Sequence, residues 1–433
     1  MAKGFPGNFP AGRPPVYREG KLWYTERKLG FYALMRETAG PLPAYDTKRS
    51  RSMGNRLKNT IRDFFQQADL VLLGLCVGAT LFGLVLIYSC TRYMDRSDAL
   101  KMLLVQTVAM GLGILAYFIL SMIDTEELIR HWKWFFAFNV GFICLLVPFG
   151  RERYGNKAWI QFNWMPMAIQ PTEIVKITFI LLLAWQFQRV WERERNLTTL
   201  RAAIQPTAHV AFMLGLIFVI TKDMGSALVY VGVFLAMALA AGMAWRWFVV
   251  GLGGFAGVCL AAYKLDLIPS YMLDRFRVVL DHSYDTAGKG YQQIRGMLAI
   301  GSGGLFGQGL FHGRLTQAGK GVLPFRYTDF IFAVAGEELG LVGCVLILLL
   351  EAAIILRCLQ VARHAKTPFS SYVCVGVAGT LIFQVLSNVG MCLFVLPVIG
   401  LTLPFFSYGG SSLLALYAAM GIVSGIKKRA FTD

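Results

Sequence analysis

Charged residues are scarce in this chain. Only 15% of its 433 residues are Asp, Glu, Lys or Arg, and 56% are hydrophobic, whereas about a quarter of an average soluble domain is charged. The sequence contains no Cys-x-x-C pair, because its eight cysteines stand singly, and its five histidines show no metal-ligand spacing. These absences argue against a soluble domain, a disulfide framework and a Cys/His metal site. They favour an all-α, polytopic integral membrane protein with buried free thiols.

The charge balance is strongly basic, with a formal net charge of +17. The Lys and Arg residues gather beside apolar stretches, as the positive-inside rule describes, so we expect membrane lipid and not nucleic acid as the surroundings. Residues 1–66 are polar and basic and carry no cleavable signal pattern. We predict a basic cytoplasmic N-terminal extension, which is either disordered or forms an interfacial helix around Leu22 to Met35.

Ten apolar stretches follow, each near the length of about 20 residues that crosses a bilayer. They lie near 68–90, 103–123, 133–149, 170–189, 206–221, 225–243, 246–263, 328–357, 370–395 and 404–425. The asymmetry of Lys and Arg between alternate loops places both termini in the cytoplasm. We therefore predict a transmembrane domain at 67–427, a cytoplasmic tail at 428–433, and a large outer loop at about 264–327 between helices 7 and 8.

One acidic residue, Asp329, stands where the long outer loop becomes a membrane helix. Ala333, Gly336 and Gly340 follow it at i+4, i+7 and i+11, so they share one helical face. Small residues on such a face allow another helix to approach closely. The pattern predicts that Asp329 faces protein at the top of a packed helix face. A role for its side chain as a helix cap is the alternative.

Two further charged residues open the fourth span. Glu173 and Lys176 follow Pro171 and are i, i+3 neighbours, so their side chains can form an ion pair. A charge that faces lipid costs about 2.5–3.5 kcal/mol, so such residues usually face a cavity or a partner. The alternative is that Lys176 extends its ammonium group to the membrane surface. The cost of a charge in lipid favours a functional role for these residues.

Several motifs together resemble the SEDS family (shape, elongation, division and sporulation proteins), which are RodA- and FtsW-like peptidoglycan glycosyltransferases. Residues 170–176 are similar to its Gln-Pro-Ser-Glu-Phe-x-Lys motif. Residues 222–227, which alone predict a tight turn, are similar to Pro-Asp-Leu-Gly-Thr-Ala. Further matches are the Gly-rich segment 300–305, the hexapeptide 328–333, residues 337–340 and residues 396–412. The resemblance covers about residues 70 to 425.

The resemblance implies that Asp329 is catalytic and that Glu173, Lys176 and Asp223 line an outer active cavity. Other predicted substrate-binding residues are Lys157, Trp159, Arg275, Arg326, Ser407, Gly409 and Ser411. The chain departs from the usual family residues at Ala158, where Arg is common, and at Phe325 and Tyr327, where Glu and His are usual. These departures predict some difference in substrate handling.

The implied reaction joins lipid-linked disaccharides (lipid II). Asp329 is the predicted base that takes a proton from the attacking 4-hydroxyl. Lys176, and after it Lys157, Arg275 or Arg326, are predicted to stabilise the departing diphosphate. No cofactor is required by the sequence, although carboxylates in the cavity leave open a divalent cation, Mg or Mn. The resemblance also implies a class B penicillin-binding protein (a transpeptidase) as partner.

A flippase for the same lipid-linked precursor is the alternative function. Ten spans and intramembrane charges such as Lys176 and Glu351 also fit a transporter, although Glu351 is also explained as an inner-face residue that pairs with Arg357 or with a cation of a loop. A flippase needs polar groups that are accessible from both leaflets, and the inner halves of most spans are apolar. The sequence therefore favours the glycosyltransferase.

Overall fold

The structure is a computed structural model. It describes residues 68–431 except 154–155, 163–166, 195–197, 267–269, 286–287, 289 and 320. The predicted extension at 1–66 lies outside the described residues. Helices form nearly all of the regular structure in this part of the chain, where the strands are limited to one short hairpin. The prediction of an all-α membrane protein is confirmed.

The helices are numbered here in chain order. They are α1 (Leu70–Thr91), α2 (Arg96–Met122), α3 (Thr125–Leu128), α4 (Trp132–Cys144), α5 (Leu146–Phe149), α6 (Pro171–Glu194), α7 (Leu200–Thr221), α8 (Met224–Ala240), α9 (Trp245–Lys264), α10 (Ser270–Leu280), α11 (Tyr291–Gly303), α12 (Arg314–Gln317), α13 (Ile331–His364), α14 (Pro368–Cys392) and α15 (Gly410–Phe431). A 3-10 turn, Ile129–His131, joins α3 to α4. Strands β1 (Gly150–Arg153) and β2 (Asn156–Ile160) pair antiparallel after α5.

In the described part of the chain, nine helical stretches are long and apolar enough to cross a membrane: α1, α2, residues 125–149, α6, α7, α9, α13, α14 and α15. The tenth predicted span corresponds to α8, an apolar helix of 17 residues. Each predicted span thus contains a helix, and the protein is a multi-pass membrane protein. The third span is interrupted, because it comprises α3, the 3-10 turn, α4 and α5.

Glycines allow the central helices to approach one another closely. A Cβ on Gly421 of α15 would lie 2.5 Å from the carbonyl oxygen of Tyr117 in α2, and one on Gly425 would lie 2.7 Å from that of Ser121. Small residues at such positions let two membrane helices pack backbone against backbone. The long contact between α2 and α15 therefore depends on these two glycines.

Helix α13 is broken at Gly340, whose φ of 66° and ψ of −160° are not helical. The break separates the amides of Leu341 and Val342 from the carbonyls of Glu337 and Glu338, their partners in an unbroken helix. Residues 331–338 are all buried before the break, whereas many residues after it are exposed to the surroundings of the bundle. The predicted continuous helix through Gly340 is therefore wrong at this residue.

The segment Gly303–Gly309, which we call the wedge, fills this break. Two of its carbonyls accept from the amides after the break, at 2.9 and 3.2 Å, and two of its amides donate to the carbonyls before it, at 2.9 and 3.0 Å. The donor–acceptor pairs are Leu341–Gly304, Val342–Leu305, Gln308–Glu337 and Gly309–Glu338. All four separated groups are satisfied, as a broken helix at membrane depth requires.

At the opposite end of the bundle, Asp69 is completely buried beneath two cations. Its carboxylate lies 2.8 Å from Nε of Arg357 and 3.1 Å from Nζ of Lys427. These ion pairs connect the start of α1 to α13 and α15. Glu351, in contrast, has no hydrogen-bond partner on either carboxylate oxygen among the described residues. The interpretation that Glu351 pairs with Arg357 is therefore wrong, because Asp69 occupies that guanidinium.

The eight cysteines are free thiols, six of them buried. This outcome agrees with the expectation from their isolated positions in apolar stretches.

Candidate active site

Asp329 lies two residues before α13, and its main chain is fixed by α14. The side-chain amide of Asn388 donates to the carbonyl of Asp329 at 2.8 Å and to the carbonyl of Leu401 at 2.7 Å. One buried amide therefore joins the loop before α13 to the loop before α15. Helix α13 begins after Phe330 without a side-chain cap, so the helix-capping alternative for Asp329 is wrong.

Ser407 provides a second connection between the same two loops. Its hydroxyl donates to the carbonyl of Thr328 at 2.6 Å and accepts from the amide of Leu403 at 2.8 Å. The amide of Tyr408 donates to the carbonyl of Tyr327 at 2.8 Å. The three residues 327–329 are consequently held by hydrogen bonds from α14 and from the loop at 401–408. This attachment fixes the backbone on which the Asp329 carboxylate stands.

The predicted close packing beside Asp329 is present. Ala333 is fully buried, and a Cβ on Gly336 would lie 2.9 Å from Cγ1 of Ile300 in α11. The partner is therefore α11, a helix of the loop that precedes α13. The third small residue, Gly340, is the residue at which α13 is broken.

Asp223 lies in the turn between α7 and α8, as the sequence predicts. Its carboxylate accepts from the Ser226 hydroxyl at 2.6 Å and amide at 3.2 Å, and from the Gln170 side chain at 3.3 Å. A Cβ on Gly225 would lie 2.3 Å from the carbonyl oxygen of Ile399. This close approach brings the start of α8 against the loop that precedes α15.

Glu173 and Lys176 form the predicted ion pair. The Lys176 ammonium nitrogen lies 3.0 Å from each carboxylate oxygen of Glu173, and the hydroxyl of Ser412 donates to Glu173 at 3.1 Å. Only 5% of Lys176 is exposed, so its ammonium group does not extend to the surface. Both side chains line a cavity of about 20 Å³ between α6, α14 and α15, which is room for about one water molecule.

The acidic residues interact electrostatically. Burial raises the pKa of Asp329 to about 6; a hydrogen bond with Thr328 opposes this, the negative charge of Asp223 adds to it, and Arg275 lowers the pKa. Burial also raises the pKa of Asp223, and the charge of Glu173 contributes in the same direction. Asp329 is thus a stronger base than an ordinary aspartate and is still mostly ionised at neutral pH.

The other predicted binding residues lie on several elements. Arg275 is near Asp329, since its charge acts on that carboxylate, and it donates to the carbonyl of Val398 at 3.0 Å. Gly409 and Ser411 belong to the turn that starts α15, where the Gly409 amide donates to Gln106 at 3.1 Å. Ser412, and not Ser411, contacts the Glu173 carboxylate.

Lys157 and Trp159 lie on β2, whose end is bridged to Ile169 just before α6. The Lys157 ammonium donates to the carbonyl of Val147 at 2.7 Å, while the neighbouring Ala158 is fully buried. The structure therefore directs the Lys157 side chain toward α5, and it places Ala158 inside the fold.

Arg326 is enclosed in the loop that precedes α13, with 1% of its surface exposed. Its guanidinium stacks on the ring of Tyr93 at 3.8 Å. It donates to the carbonyls of Leu315, Thr316, Ala318 and Gly319. These contacts use the guanidinium within the protein, so this arrangement offers no diphosphate contact to Arg326, and we correct that prediction to a structural role in the loop.

Glu337 forms hydrogen bonds with the same loop. Its carboxylate accepts from the amides of Leu315 and Thr316 at 2.6 and 2.8 Å, and from the Thr316 hydroxyl at 2.6 Å. Glu338 accepts from Ser89, Gln317 and the amide of Phe311. The acidic pair in α13 therefore anchors the loop that Arg326 fills.

The described residues contain no group of three or more His, Cys, Asp or Glu side chains placed to hold a metal ion. The divalent cation that the sequence left open therefore has no such set of ligands in the described part of the chain.

The fold and the site together define a multi-pass membrane protein in which three acidic residues and a lysine meet at one end of the helix bundle. Residues 69–431 match the FtsW, RodA and SpoVE family model, described as "Cell cycle protein". The chain belongs to this family, which confirms the resemblance inferred from its motifs.

Relatives of nearly full length support the same assignment. The chain is 32% identical over 376 residues to Stage V sporulation protein E of Bacillus subtilis (strain 168), covering 83% of this chain and 97% of the relative. It is 33% identical over 374 residues to the probable peptidoglycan glycosyltransferase FtsW of Geobacter metallireducens, covering 84% and 96%. A structure reported as "Structural coordination of polymerization and crosslinking by a peptidoglycan synthase complex" is 30% identical, covers 84% of this chain and 99% of that one, and has a TM-score of 0.69.

Proposed function

We propose that this protein is a peptidoglycan glycosyltransferase that polymerises lipid II into glycan strands on the outer face of the bacterial cytoplasmic membrane. The observation that carries the proposal is Asp329, a carboxylate with a pKa raised to about 6 on a backbone fixed by Asn388 and Ser407. The chain is similar to proteins named as peptidoglycan glycosyltransferases, which supports the proposal that Asp329 acts as the base of such a reaction.

In the proposed reaction, Asp329 accepts the proton of the 4-hydroxyl of one lipid-linked saccharide. The resulting oxygen attacks the anomeric carbon of the other, and the bond from that carbon to the diphosphate breaks. Undecaprenyl diphosphate leaves with the bonding electrons, and the configuration at the anomeric carbon inverts. The diphosphate is a good leaving group, so the reaction needs one base and positive charge, but no strong acid.

Arg275 and Lys176 are the proposed diphosphate-binding residues. Arg275 is near enough to Asp329 to lower its pKa, and Lys176 is held beside the cavity by Glu173. Ser407, Gly409 and Ser411 would shape the mouth of the site, with Asp223 on its other side. Lys157 and Trp159 on β2 would contact the substrate where it enters, after a rotation of the Lys157 side chain.

The proposed orientation has both termini in the cytoplasm and the loop before α13 outside. In this arrangement the carrier lipid reaches the site laterally from the bilayer, while its sugar stays in water. A class B penicillin-binding protein, which crosslinks the product, is the proposed partner. A solved structure similar to this chain belongs to a peptidoglycan synthase complex, which supports an assembly of this kind.

A flippase for the same precursor is the second candidate, and one observation favours it. Glu351 is 1% exposed inside α13 and has no hydrogen-bond partner among the described residues. Ionisable residues within membrane spans commonly mark ion or substrate pathways. The position of Glu351, beyond the middle of α13 from Asp329, is where a transport pathway would need a polar group.

Polymerisation of purified lipid II by the purified protein, alone and with its transpeptidase partner, tests the proposal. Wild type should give glycan chains. Asp329→Asn should reduce their rate about 10²- to 10⁴-fold, the usual contribution of a general base. Asp95→Asn is the matched control, because Asp95 is an exposed aspartate just before α2, and it should polymerise like wild type.

Normal polymerisation by Asp329→Asn would show that Asp329 is not the base. Transfer of labelled lipid II across vesicles by wild type, without glycan in any condition, would replace the enzyme with the flippase. In that case Glu351→Gln, and not Asp329→Asn, should stop the transfer.

A further inference from the structure

A second polar cavity lies at the end of α6 remote from the candidate active site. It has a volume of about 270 Å³ and is lined by α3, the 3-10 turn, the last turns of α6 and the start of α14. Its lining residues are Glu126, Ile129, Arg130, Trp185, Gln188, Arg189, Glu192 and Phe369. Because α6 is one of the candidate spans, this cavity opens at the membrane surface opposite to Asp329.

The two carboxylates of this cavity have neutral donors within the protein. Glu126 accepts from the hydroxyls of Thr367 and Ser370, the latter at 2.8 Å. Glu192 accepts from the side chain of Gln188 at 2.8 Å. Neither carboxylate is paired with a cation among the described residues. Each of them can therefore attract a positively charged group of a ligand.

The two guanidinium groups of the cavity differ from the carboxylates, because their hydrogen-bond donors are not used by neighbouring described residues. Arg130 and Arg189 form no hydrogen bond or ion pair with another described residue, although Arg189 lies over the ring of Trp185 at 4.6 Å. Trp185 in turn stacks on Trp132 at 4.8 Å. Guanidinium groups bind phosphate through paired, charge-assisted hydrogen bonds. The cavity therefore offers unused donors for one phosphate group.

The surroundings of the cavity favour a lipid over a free phosphate. Trp185 and Trp132 form a stacked aromatic pair at the end of a span, where tryptophan commonly lies at headgroup level. Leu128 on α3 and Trp191 on α6 are 39% and 36% exposed and provide apolar surface on the same two elements. A ligand with a phosphate and acyl chains would use both features.

We propose that this cavity binds the headgroup of a zwitterionic phospholipid with a primary ammonium, the phosphoethanolamine type. The phosphodiester would lie against Arg130 and Arg189, and the ammonium would lie toward Glu192. The lining carries two positive and two negative formal charges, which match a zwitterion better than a headgroup with a net negative charge. The bound lipid would join α3, α6 and α14 at the membrane surface.

Native mass spectrometry of the delipidated full-length protein tests this inference. The probes are phosphatidylethanolamine, phosphatidylglycerol and inorganic phosphate, each added separately. Wild type should retain one phosphatidylethanolamine in preference to phosphatidylglycerol. The double variant Arg130→Gln/Arg189→Gln should lose about tenfold or more in apparent affinity, because two charge-assisted hydrogen-bond donors are removed.

Arg193→Gln/Arg201→Gln is the matched control. Both residues are exposed, neither lines the cavity, and the change in net charge is the same. This variant should retain the lipid. Glu192→Gln should bind phosphatidylethanolamine and phosphatidylglycerol equally, because the group that selects the ammonium is neutralised. Both arginine pairs are exposed, so neither variant should lower the melting temperature.

Unchanged lipid retention in the Arg130/Arg189 variant would overturn the inference, as would equal losses in the control variant. Preference of wild type for phosphatidylglycerol would overturn the zwitterionic assignment. Displacement of the lipid by millimolar inorganic phosphate would show a phosphate site without lipid specificity. These outcomes concern lipid retention and are independent of glycan synthesis, so they leave the proposed enzymatic function untouched.

Discussion

At the scale of single residues, the candidate site depends on how differently its three carboxylates are neutralised. Glu173 has a lysine ammonium 3.0 Å away, and Asp223 is surrounded by neutral donors from Ser226 and Gln170. Asp329 has neither an ion-pair partner nor several donors among the described residues, and burial raises its pKa to about 6. It is consequently the carboxylate best suited to accept a proton near neutral pH.

The pH dependence of polymerisation follows from this pKa. The ionised form of Asp329 is the active base, so kcat/KM should fall about tenfold per pH unit below a pH of about 6. Asp223→Asn removes a negative charge that raises the pKa and should move the acid limb to lower pH. Arg275→Gln removes a positive charge that lowers it and should move the limb to higher pH. Shifts in the same direction would contradict this electrostatic account.

The same pKa predicts that the ionised, catalytically active form of Asp329 lowers the stability of the folded protein. Its folded-state pKa of about 6 lies above the value of about 3.9 for an unfolded aspartate. The stabilising contribution of this group is therefore complete below pH 3.9 and is lost as the pH rises through 6. Asp329→Asn should melt at the same or a higher temperature than wild type at pH 7.5, while polymerisation is lost. A large drop in melting temperature would indicate a structural role instead.

Sequence spacing predicted only some of these residues. The Glu173–Lys176 pair lies within one helix, so i, i+3 geometry predicted it from the sequence alone. Asn388 and Ser412 were missed, because their partners are 59 and 239 residues away and no local pattern encodes such contacts. The arginine prediction at Arg326 failed for a related reason, since a charge near a motif does not reveal which way its side chain points.

At the scale of elements, the exchange of hydrogen bonds between α13 and the wedge holds the loop before α13 against the bundle. Gly340→Ala tests it, because Gly340 has a φ of 66° and a Cβ there would lie 2.4 Å from the amide nitrogen of Gly307. The variant should lose at least about 2 kcal/mol of stability through backbone strain and the clash. Its polymerisation rate should also fall, because α13 carries the loop of Asp329.

Gly74→Ala is the control for that measurement. Gly74 lies in α1 with nothing within 4 Å of a Cβ, so stability should change by less than about 1 kcal/mol, or improve slightly. Thermal unfolding in detergent, followed by intrinsic fluorescence, measures both variants. Similar losses of stability in the two variants would mean that the wedge contributes little to the stability of the fold.

The break itself could not be predicted from the sequence. Gly340 lies in an apolar stretch where glycine is common, and hydropathy does not distinguish a helix from a broken helix of the same composition. The available indications were the glycines between 301 and 309 and the adjacent acidic residues Glu337 and Glu338. The hydrogen-bond partners of these residues could be identified only from the structure of the loop.

At the scale of the whole molecule, the end of the bundle opposite Asp329 is closed by Asp69. Burial opposes ionisation of this group, but the hydrogen bonds and charges of Arg357 and Lys427 outweigh it and lower its pKa. Its stabilising contribution is therefore present above pH 3.9 and is lost as the pH falls through the lowered folded value. Asp69→Asn should reduce the free energy of unfolding by about 3–5 kcal/mol near neutral pH, because it leaves the two cations without their buried partner.

Asp124→Asn is the matched control for this prediction. Asp124 is 47% exposed in its side chain and lies 3.9 Å from Arg429, and exposed pairs contribute about 1 kcal/mol or less. Urea unfolding at pH 7.5 compares the two variants. An equal effect of both would contradict the assignment of Asp69 as a buried connection between helices.

Hydropathy predicted the overall architecture well, because each span requires a long apolar stretch and such stretches are visible in any sequence. The same criterion could not find β1, β2, α10, α11 or α12. These elements are short or polar, and the loop that contains them is fixed by buried side chains such as Arg326 and Glu337. The conformation of these elements depends on contacts with the helix bundle and not on their own composition.

The broken helix also affects how the protein is made. The wedge precedes α13 by fewer than 40 residues, so it leaves the ribosome before the helix whose separated amides and carbonyls it satisfies. Contacts between such close segments form early in folding. We expect α11, the wedge and the first turns of α13 to associate as one unit during membrane insertion, before α14 and α15 are synthesised.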